Sequence, residues 1–196
     1  AMFGNKLELT AEAYIRDTEG MLTAGMDLPS VYGATSPQMN AADLRTKGFE
    51  VSLSWRDSFN IASKPFNYFI KPTISYYTSH ITKFANETKL LSNYYVGQEI
   101  GEIWGFNVGG LFPTDEAALE YTSKVDQSYC NANLTGGWKA GDVMYIDNDG
   151  DGTIGIGKNT LDDHGDLVKL GNSLPRLHYG VTTGFSFANF DFSIFF

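Results

Sequence analysis

The chain has 196 residues and a formal net charge of −9. This acidity disfavours a nucleic acid or an anionic membrane surface as the partner, because both carry negative charge. Aromatic residues make up 14% of the chain, charged residues only 19%, and 21 positions are glycine, which is typical of an all-β protein rather than of a helical or disordered one.

The first predicted strand spans residues 7–16, where apolar and polar side chains alternate. Its apolar positions are Leu7, Leu9, Ala11, Ala13 and Ile15. A period of two indicates a strand with one apolar and one polar face. In a soluble sheet the apolar face would cover a core, whereas in an outer-membrane barrel it would face lipid and the polar face would line the lumen. Alternation alone leaves both alternatives open.

The same alternation predicts four more strands, over residues 48–56, 66–84, 177–187 and 190–196. Two long segments without sustained alternation separate them. Glycine and proline interrupt residues 17–47, so we expect at most short strands there. Residues 85–176 form a second long segment. Long connections therefore alternate with short ones, an arrangement typical of outer-membrane barrels with long extracellular loops and tight periplasmic turns.

The segment 85–176 contains local elements of its own. Thr114 precedes two acids and predicts a short helix over 115–124 with a side-chain cap. Residues 142–146 predict a short strand. Six aromatic residues of this segment either stack on sugar rings, pack against a partner protein or form a small local core, and the core is the commonest use of such residues. They are Trp104, Phe106, Phe112, Tyr121, Tyr129 and Trp138.

An acidic loop follows at residues 147–154, with the sequence Asp-Asn-Asp-Gly-Asp-Gly-Thr-Ile. Alternate carboxylates in a tight turn supply several of the oxygens that Ca²⁺ requires, and the spacing matches the first half of the D-x-D-x-D-G loop. We expect Asp147, Asp149 and Asp151 as side-chain ligands and Thr153 as a carbonyl ligand. The role of the ion would be structural, since it would hold a surface loop in shape.

The second half of the calcium pattern is absent, because Lys158 stands where a bidentate Glu is required. Either Asp162 or Asp163 closes the site from further along the chain, with Asp162 preferred, or the loop is a solvated turn that binds nothing. Asp-Gly pairs are common in ordinary turns, so the second interpretation stays open at this point.

The sequence contains no pattern that indicates catalysis. His80, His164 and His178 are widely spaced, and no Gly-x-Ser-x-Gly nucleophile motif occurs. The spacing of the acids gives no reason to choose a catalytic pair. We therefore predict that the chain is not an enzyme.

Several short motifs, taken in order, resemble the C-terminal part of the SusC/RagA family of TonB-linked outer-membrane transporters. Early in the chain they are Met21-Leu22, Leu28-Pro29-Ser30, residues 33–37 (Gly-Ala-Thr-Ser-Pro), Asn40-Ala41 and residues 47–55. Further on they are residues 103–106 (Ile-Trp-Gly-Phe), 110–112 (Gly-Leu-Phe), 141–143 (Gly-Asp-Val), 147–154, 171–176 (Gly-Asn-Ser-Leu-Pro-Arg), Tyr179-Gly180 and 190–196. The resemblance covers nearly the whole chain, although each motif alone is weak.

The resemblance implies that residues 1–196 are part of an all-β, antiparallel transmembrane β-barrel with long extracellular loop inserts at 17–47 and 85–176 and one short helix. Proteins of this family lie in the lipid of the bacterial outer membrane and import oligosaccharide or peptide nutrients. They work with a SusD-like surface lipoprotein and draw energy from TonB. The plug domain and the TonB-contact segment are not among these residues.

Two features keep a second interpretation open. The acidic loop departs from the family pattern at Lys158, and alternation also fits a soluble sheet. The alternative is therefore a soluble, calcium-stabilised cell-surface β-domain that binds carbohydrate. Against it, the chain stops on the apolar strand 190–196 with nothing to cover it, which predicts that it is a fragment of a longer protein.

Overall fold

The computed structural model describes residues 2–24, 31, 33, 37–131 and 136–196. Residues 28–30 and 34–36, which carry two of the family motifs, lie outside the described residues. By its internal packing the chain divides into a first unit (residues 1–19, 44–80 and 174–196) and a second unit (residues 20–43 and 81–173).

Nine β-strands and one α-helix make up the regular structure of the described residues. In chain order the elements are β1 (Leu7–Ala24), β2 (Gln38–Ile61), β3 (Lys64–Lys83), β4 (Glu102–Phe106), β5 (Val108–Leu111), α1 (Asp115–Thr122), β6 (Val143–Tyr145), β7 (Leu167–Asn172), β8 (Leu177–Phe187) and β9 (Phe190–Phe195). A short 3₁₀ turn occupies Ser128–Cys130. None of the described helices has the length and hydrophobicity needed to cross a membrane.

The predicted all-β, antiparallel character is confirmed. Five strands form one sheet in the order β1-β2-β3-β8-β9, and two small sheets pair β4 with β7 and β5 with β6. Strands β3, β8 and β9 pair antiparallel in an unbroken register. Within the described residues the large sheet is open, with β1 and β9 as its outer strands. Closure into a barrel therefore remains a proposal.

Two of the strands are longer than the sequence predicted. β1 continues past residue 16 to Ala24, and β2 begins at Gln38 rather than at residue 48. The prediction of at most short strands in residues 17–47 is therefore wrong for 17–24 and 38–47. Cross-strand contacts hold these polar stretches together, because Arg45 donates to both carboxylate oxygens of Asp17, at 2.6 and 3.0 Å.

Segment 85–176 contains the predicted helix and the predicted short strand. Helix α1 begins at Asp115, and the Thr114 hydroxyl accepts the N–H of Ala117 at 3.2 Å, as the predicted cap requires. The helix ends at Thr122, two residues earlier than predicted. The strand predicted over 142–146 is β6. Strands β4, β5 and β7 were not predicted, because their residues show no sustained alternation.

The large sheet has an apolar face and a polar face. The register between β3 and β8 sets Ile70 opposite Thr183 and Ile74 opposite Tyr179 on the apolar face. The polar face carries Lys71, opposite Thr182. Ring contacts between Phe49 and Tyr76 and between Phe59 and Phe66 extend the apolar face onto β2.

The apolar face of the sheet is the exposed one. Among the described residues of the first unit, no apolar side chain is buried, and the buried side chains that exist are polar: Thr46 at 2% and Ser54 at 7% exposure. Thr46 hydrogen-bonds Ser79 across strands at 2.8 Å. The exposed apolar side chains of this face include Leu9, Ile15, Phe49, Phe59, Ile70, Ile74, Tyr179, Phe190, Phe192 and Ile194. This distribution is the reverse of a soluble sheet, in which apolar residues occupy the interior.

The second unit has the opposite organisation. Every buried hydrophobic residue of the described chain lies in it. These residues are Ala42, Ile81, Tyr95, Phe112, Ala118 and Ile154. The second unit therefore packs around a small conventional core, whereas the first unit lacks one.

Candidate functional site

The acidic loop is fastened to the second unit by its last residues. Ile154 is fully buried, and its N–H donates to the carbonyl of Asp126 at 2.7 Å. The N–H of Asp126 in turn donates to Gly152 at 2.8 Å, so a short parallel bridge holds the loop's C-terminal end. The β-branched residue that closes the motif thus serves as its hydrophobic anchor.

The loop winds around the carboxylate of Asp147. One oxygen accepts the N–H of Gly150 at 2.7 Å and the other accepts the N–H of Gly152 at 2.9 Å. Both glycines have positive φ, 77° and 84°, a conformation that residues with a Cβ adopt at a cost. The Asp-Gly spacing therefore sets the tight turn directly.

Three of the predicted ligands come together. One carboxylate oxygen from each of Asp147, Asp149 and Asp151 lies within 4.8 Å of the others. The carboxylate of Asp149 accepts the N–H of Asp151, which by itself would lower its pKa, but desolvation and the negative charges of Asp151, Asp166 and Asp147 raise the pKa above its ordinary value. The fourth predicted ligand, Thr153, donates its N–H to Asp151 at 2.7 Å. The arrangement concentrates negative charge in a space that suits a hard cation.

The predicted closing acids do not join this group. Asp162 is exposed and lies outside the cluster formed by the described residues. Asp163 instead pairs with the ammonium of Lys158 at 3.1 Å, which lowers the pKa of the Asp163 carboxyl. Lys158 stands where the calcium pattern requires a Glu. Its ammonium also pairs with Asp163, one of the two acids that could have replaced this Glu.

Asp166 is the acid that closes the loop, and the sequence did not indicate it. Its side chain is fully buried, with one oxygen accepting the N–H of Asn148 at 2.6 Å and the other accepting the N–H of Gly155 at 2.8 Å. These two residues flank the acidic turn, so a single carboxylate joins its beginning to its end. Asp166 lies far beyond the motif and at no fixed spacing from it. The only sequence signal for a role of Asp166 is its position between Gly165 and the start of an apolar strand.

The aromatic residues of segment 85–176 contact one another. Phe106 lies 6.0 Å from Tyr129 and 5.9 Å from Tyr145, and Phe112 lies 5.7 Å from Tyr121. Trp104 contacts His164, at 5.5 Å. Phe112 is only 2% exposed, whereas Tyr129 is 55% exposed. Most of these rings thus contribute to local packing, as expected, and Tyr129 remains accessible.

A curated protein of similar sequence matches the chain along its whole length. No family model matches the chain. The relative is "TonB-dependent receptor P3" of Formosa agariphila, which is 24% identical over 217 aligned residues. The alignment covers the whole of this chain but only 19% of the relative, so the chain spans about a fifth of that protein's length.

Solved structures share the fold over 94% of the chain. The RagAB peptide transporter superposes with a TM-score of 0.55 at 17% identity, and the RagAB peptide importer in its open-open state superposes with 0.59 at 16%. The closed-closed state gives 0.55 at 16% identity. In each case the chain covers 18% of the matched chain. Their names are those of a receptor and of transporters, in keeping with the expectation of a protein without catalysis.

The order of motifs, the sequence match along the whole chain and the shared fold agree. The chain is therefore similar along its whole length to a TonB-dependent receptor and shares the fold of the RagAB transporter structures, in keeping with the resemblance to the SusC/RagA family of the bacterial outer membrane, and it spans about a fifth of the length of these proteins.

Proposed function

We propose that the receptor containing this chain imports nutrients across the outer membrane, with the five-stranded sheet as part of the wall of a transmembrane β-barrel. The exposed apolar face carries this proposal. A sheet that buries none of its described apolar side chains, and whose buried side chains are polar, has no place for its hydrophobic surface in water. In a bilayer the apolar face would contact lipid and the polar face would line the lumen.

Aromatic rings near the tight turns support the same orientation. On the apolar face Phe66 lies 5.3 Å from Phe185, and Phe185 lies 5.6 Å from Phe192. Phe59 joins the group, at 5.1 Å from Phe66. These residues flank the turns between β2 and β3 and between β8 and β9. Barrels carry such girdles of aromatic side chains where the membrane meets water.

The alternative, a soluble calcium-stabilised β-domain that binds carbohydrate, is disfavoured by the same feature. A soluble β-domain would bury one face of its large sheet to gain the hydrophobic free energy of folding. The second unit has a core of that kind, but the described part of the first unit does not.

The cargo and partners proposed for the receptor follow its relatives. Either oligosaccharide or peptide fits the family, and the likeness to a protein named as a peptide transporter favours peptide. We further propose a SusD-like lipoprotein partner, TonB as the energy source through parts of the receptor outside this chain, and an extracellular position for the segments 17–47 and 85–176.

Calcium at the acidic loop is a separate proposal. The carboxylates of Asp147, Asp149 and Asp151 converge within 4.8 Å, and each retains acceptor capacity beyond the backbone N–H groups it already binds. Thr153 would add its carbonyl. Asp162, proposed from the sequence as the fifth ligand, would have to move to join them. The ion would hold the loop's shape and take no part in chemistry.

Deletion of the full-length receptor in its native bacterium tests the transport proposal. Cells should lose uptake of a fluorescent pool of short peptides, or of oligosaccharides, while a plasmid copy restores it. The receptor should fractionate with the outer membrane. Undiminished uptake of both pools would contradict the proposal, and loss of one pool alone would identify the cargo class.

A further inference from the structure

The polar face of the large sheet contains a cleft of about 500 Å³ that lies wholly within the first unit. It extends across strands β1, β2, β3, β8 and β9. The residues that give it chemical character are Glu12, Glu50, Ser52, Ser75, His178 and Phe195. Carboxylates line one side and an aromatic ring lines the other, so the cleft is chemically asymmetric.

Glu12 and Glu50 lie opposite each other on adjacent strands. The N–H of Arg56 donates to the carbonyl of Lys6 at 2.8 Å, which fixes the antiparallel register of β1 and β2 at one end. Further along the pair, the Tyr14 ring covers Gly48 in the same register. That register sets Glu12 opposite Glu50.

Opposed like charges destabilise a strand pair, and nothing in the described structure neutralises these two. Neither Glu12 nor Glu50 takes part in an ion pair with any described residue. The positive side chains on this face, such as Lys71, do not line the cleft. A local arrangement that costs stability is typical of a functional site.

The distance between the carboxylates of the cleft and His178 suits an organic cation better than a metal ion. His178 lies opposite Ser75, and its ring stacks on Tyr77 at a centroid distance of 6.1 Å. Because β8 lies three strand spacings from β1 in the sheet, His178 is roughly 14 Å from Glu12. Among the described residues, the only group compact enough to hold a metal through three such side chains is that of the acidic loop.

The opposite side of the cleft accepts an apolar group. The Phe195 ring lies over Gly180, where an added Cβ would come within 3.0 Å of it. The ring is 72% exposed, so most of its surface is available for contact. Hydroxyl groups of Ser52 and Ser75 lie between this ring and the carboxylates and can bind backbone amides.

We propose that this cleft binds a basic peptide, with a lysine or arginine side chain between Glu12 and Glu50 and an apolar side chain near Phe195. The proposal rests on the proposed transport function. It specifies which side chains of the cargo bind at one place on the lumen wall. The negative charge of Glu12 and Glu50 favours a cationic group. An amino-sugar chain also carries cations, but it is polar throughout and would contact the apolar end of the cleft less well than a peptide with an apolar side chain.

The test uses the full-length receptor in detergent and a pentapeptide with one phenylalanine and one lysine. Its counterpart carries the same lysine acetylated on Nε, which removes only the charge. The acetylated peptide should bind about tenfold more weakly, as expected for the loss of a charge-assisted contact. The double variant E12Q/E50Q should bind the lysine peptide about tenfold more weakly than the unaltered receptor and should no longer distinguish the two peptides.

E8Q is the matched control, because Glu8 lies on the same face of β1 but outside the cleft. It should retain both the affinity and the preference. Equal binding of the two peptides, absence of binding, or an equal loss in E8Q would overturn the cleft assignment. Tighter binding of a glucosamine trimer than of the lysine peptide would overturn the peptide assignment in favour of amino sugars. Uptake lost on receptor deletion would still support transport in each of these cases.

Discussion

The carboxylate of Glu102 accepts a hydrogen bond from the ammonium of Lys169 at 2.8 Å and thereby joins strand β4 to strand β7. Its oxygens also accept the Tyr95 hydroxyl at 2.6 Å and the Trp104 indole N–H at 3.1 Å. The Glu102 side chain is only 5% exposed. One buried carboxylate therefore organises much of the packing between the small β4–β7 sheet and the preceding loop.

Replacement of this carboxylate should loosen the second unit. Glu102→Gln removes the charge and leaves buried donors with a poorer acceptor, which should lower the local unfolding free energy by about 1–3 kcal/mol. Amide hydrogen exchange of residues 99–106 in the full-length receptor should accelerate roughly five- to 150-fold. Glu120→Gln is the control, because its ion pair with Lys124 is exposed and should contribute little. Similar exchange rates in both variants would argue against a central role for Glu102.

The same carboxylate should make local stability depend on pH. Burial alone would raise the pKa of Glu102, but hydrogen bonds from Lys169, Tyr95, the Glu99 N–H and Trp104 outweigh it and hold the pKa below its ordinary value of 4.5. A lowered folded-state pKa contributes stability that is fully present above pH 4.5 and is lost as the pH falls through the folded value. The protection of the amides of residues 99–106, measured relative to their intrinsic exchange rate at each pH, should therefore fall only below that pH. Persistence of the same pH dependence in Glu102→Gln would assign it to another group.

Asp166 should determine the shape of the acidic loop. Asp166→Ala leaves the N–H groups of Asn148 and Gly155 without their acceptor, a loss of about 1–3 kcal/mol. Limited proteolysis should then cut residues 150–157 about tenfold faster or more. Asp162→Ala removes an exposed carboxylate nearby and should leave the cleavage rate unchanged. If the second variant is cut as readily as the first, the loop depends on its general acidity and not on Asp166.

Calcium removal tests the metal proposal independently of these variants. Chelation with EGTA should raise proteolytic cleavage within residues 150–157, and Ca²⁺ should restore protection, because the ion would neutralise the converging carboxylates. Asp149→Asn should abolish the difference between the two conditions. Cleavage that is indifferent to EGTA in the unaltered receptor would identify the loop as a turn that holds its shape through hydrogen bonds alone.

The sequence predicted those parts of the molecule whose structure is local. Alternation located β3 and β8, because each residue's face follows from its parity along the strand. The Thr114 cap and the Asp-Gly turn were also predicted, since both depend on neighbours within a few positions. The family motifs then indicated the outer membrane.

Features that depend on distant neighbours could not be predicted in this way. The ends of β1 and β2 contain glycine and polar residues, yet the N–H of Gly20 donates to Asp43 at 2.8 Å and ladder bonds continue the pairing. Asp166 closes the acidic loop through contacts across 11 and 18 positions, and no motif specifies such spacing. The choice between a soluble and a membrane sheet required knowledge of which face was buried.

The central claim is that the apolar face of the large sheet contacts lipid, and adjacent residues on β3 test it most directly. Nitroxide labels at Ile70→Cys and Lys71→Cys, in a full-length receptor with Cys130→Ser and reconstituted into bilayers, would point to opposite faces. The label at position 70 should be accessible to dissolved oxygen and shielded from a water-soluble nickel chelate, and the label at position 71 should show the reverse. Equal accessibility to nickel at both positions, or a reversed pattern, would contradict the claim.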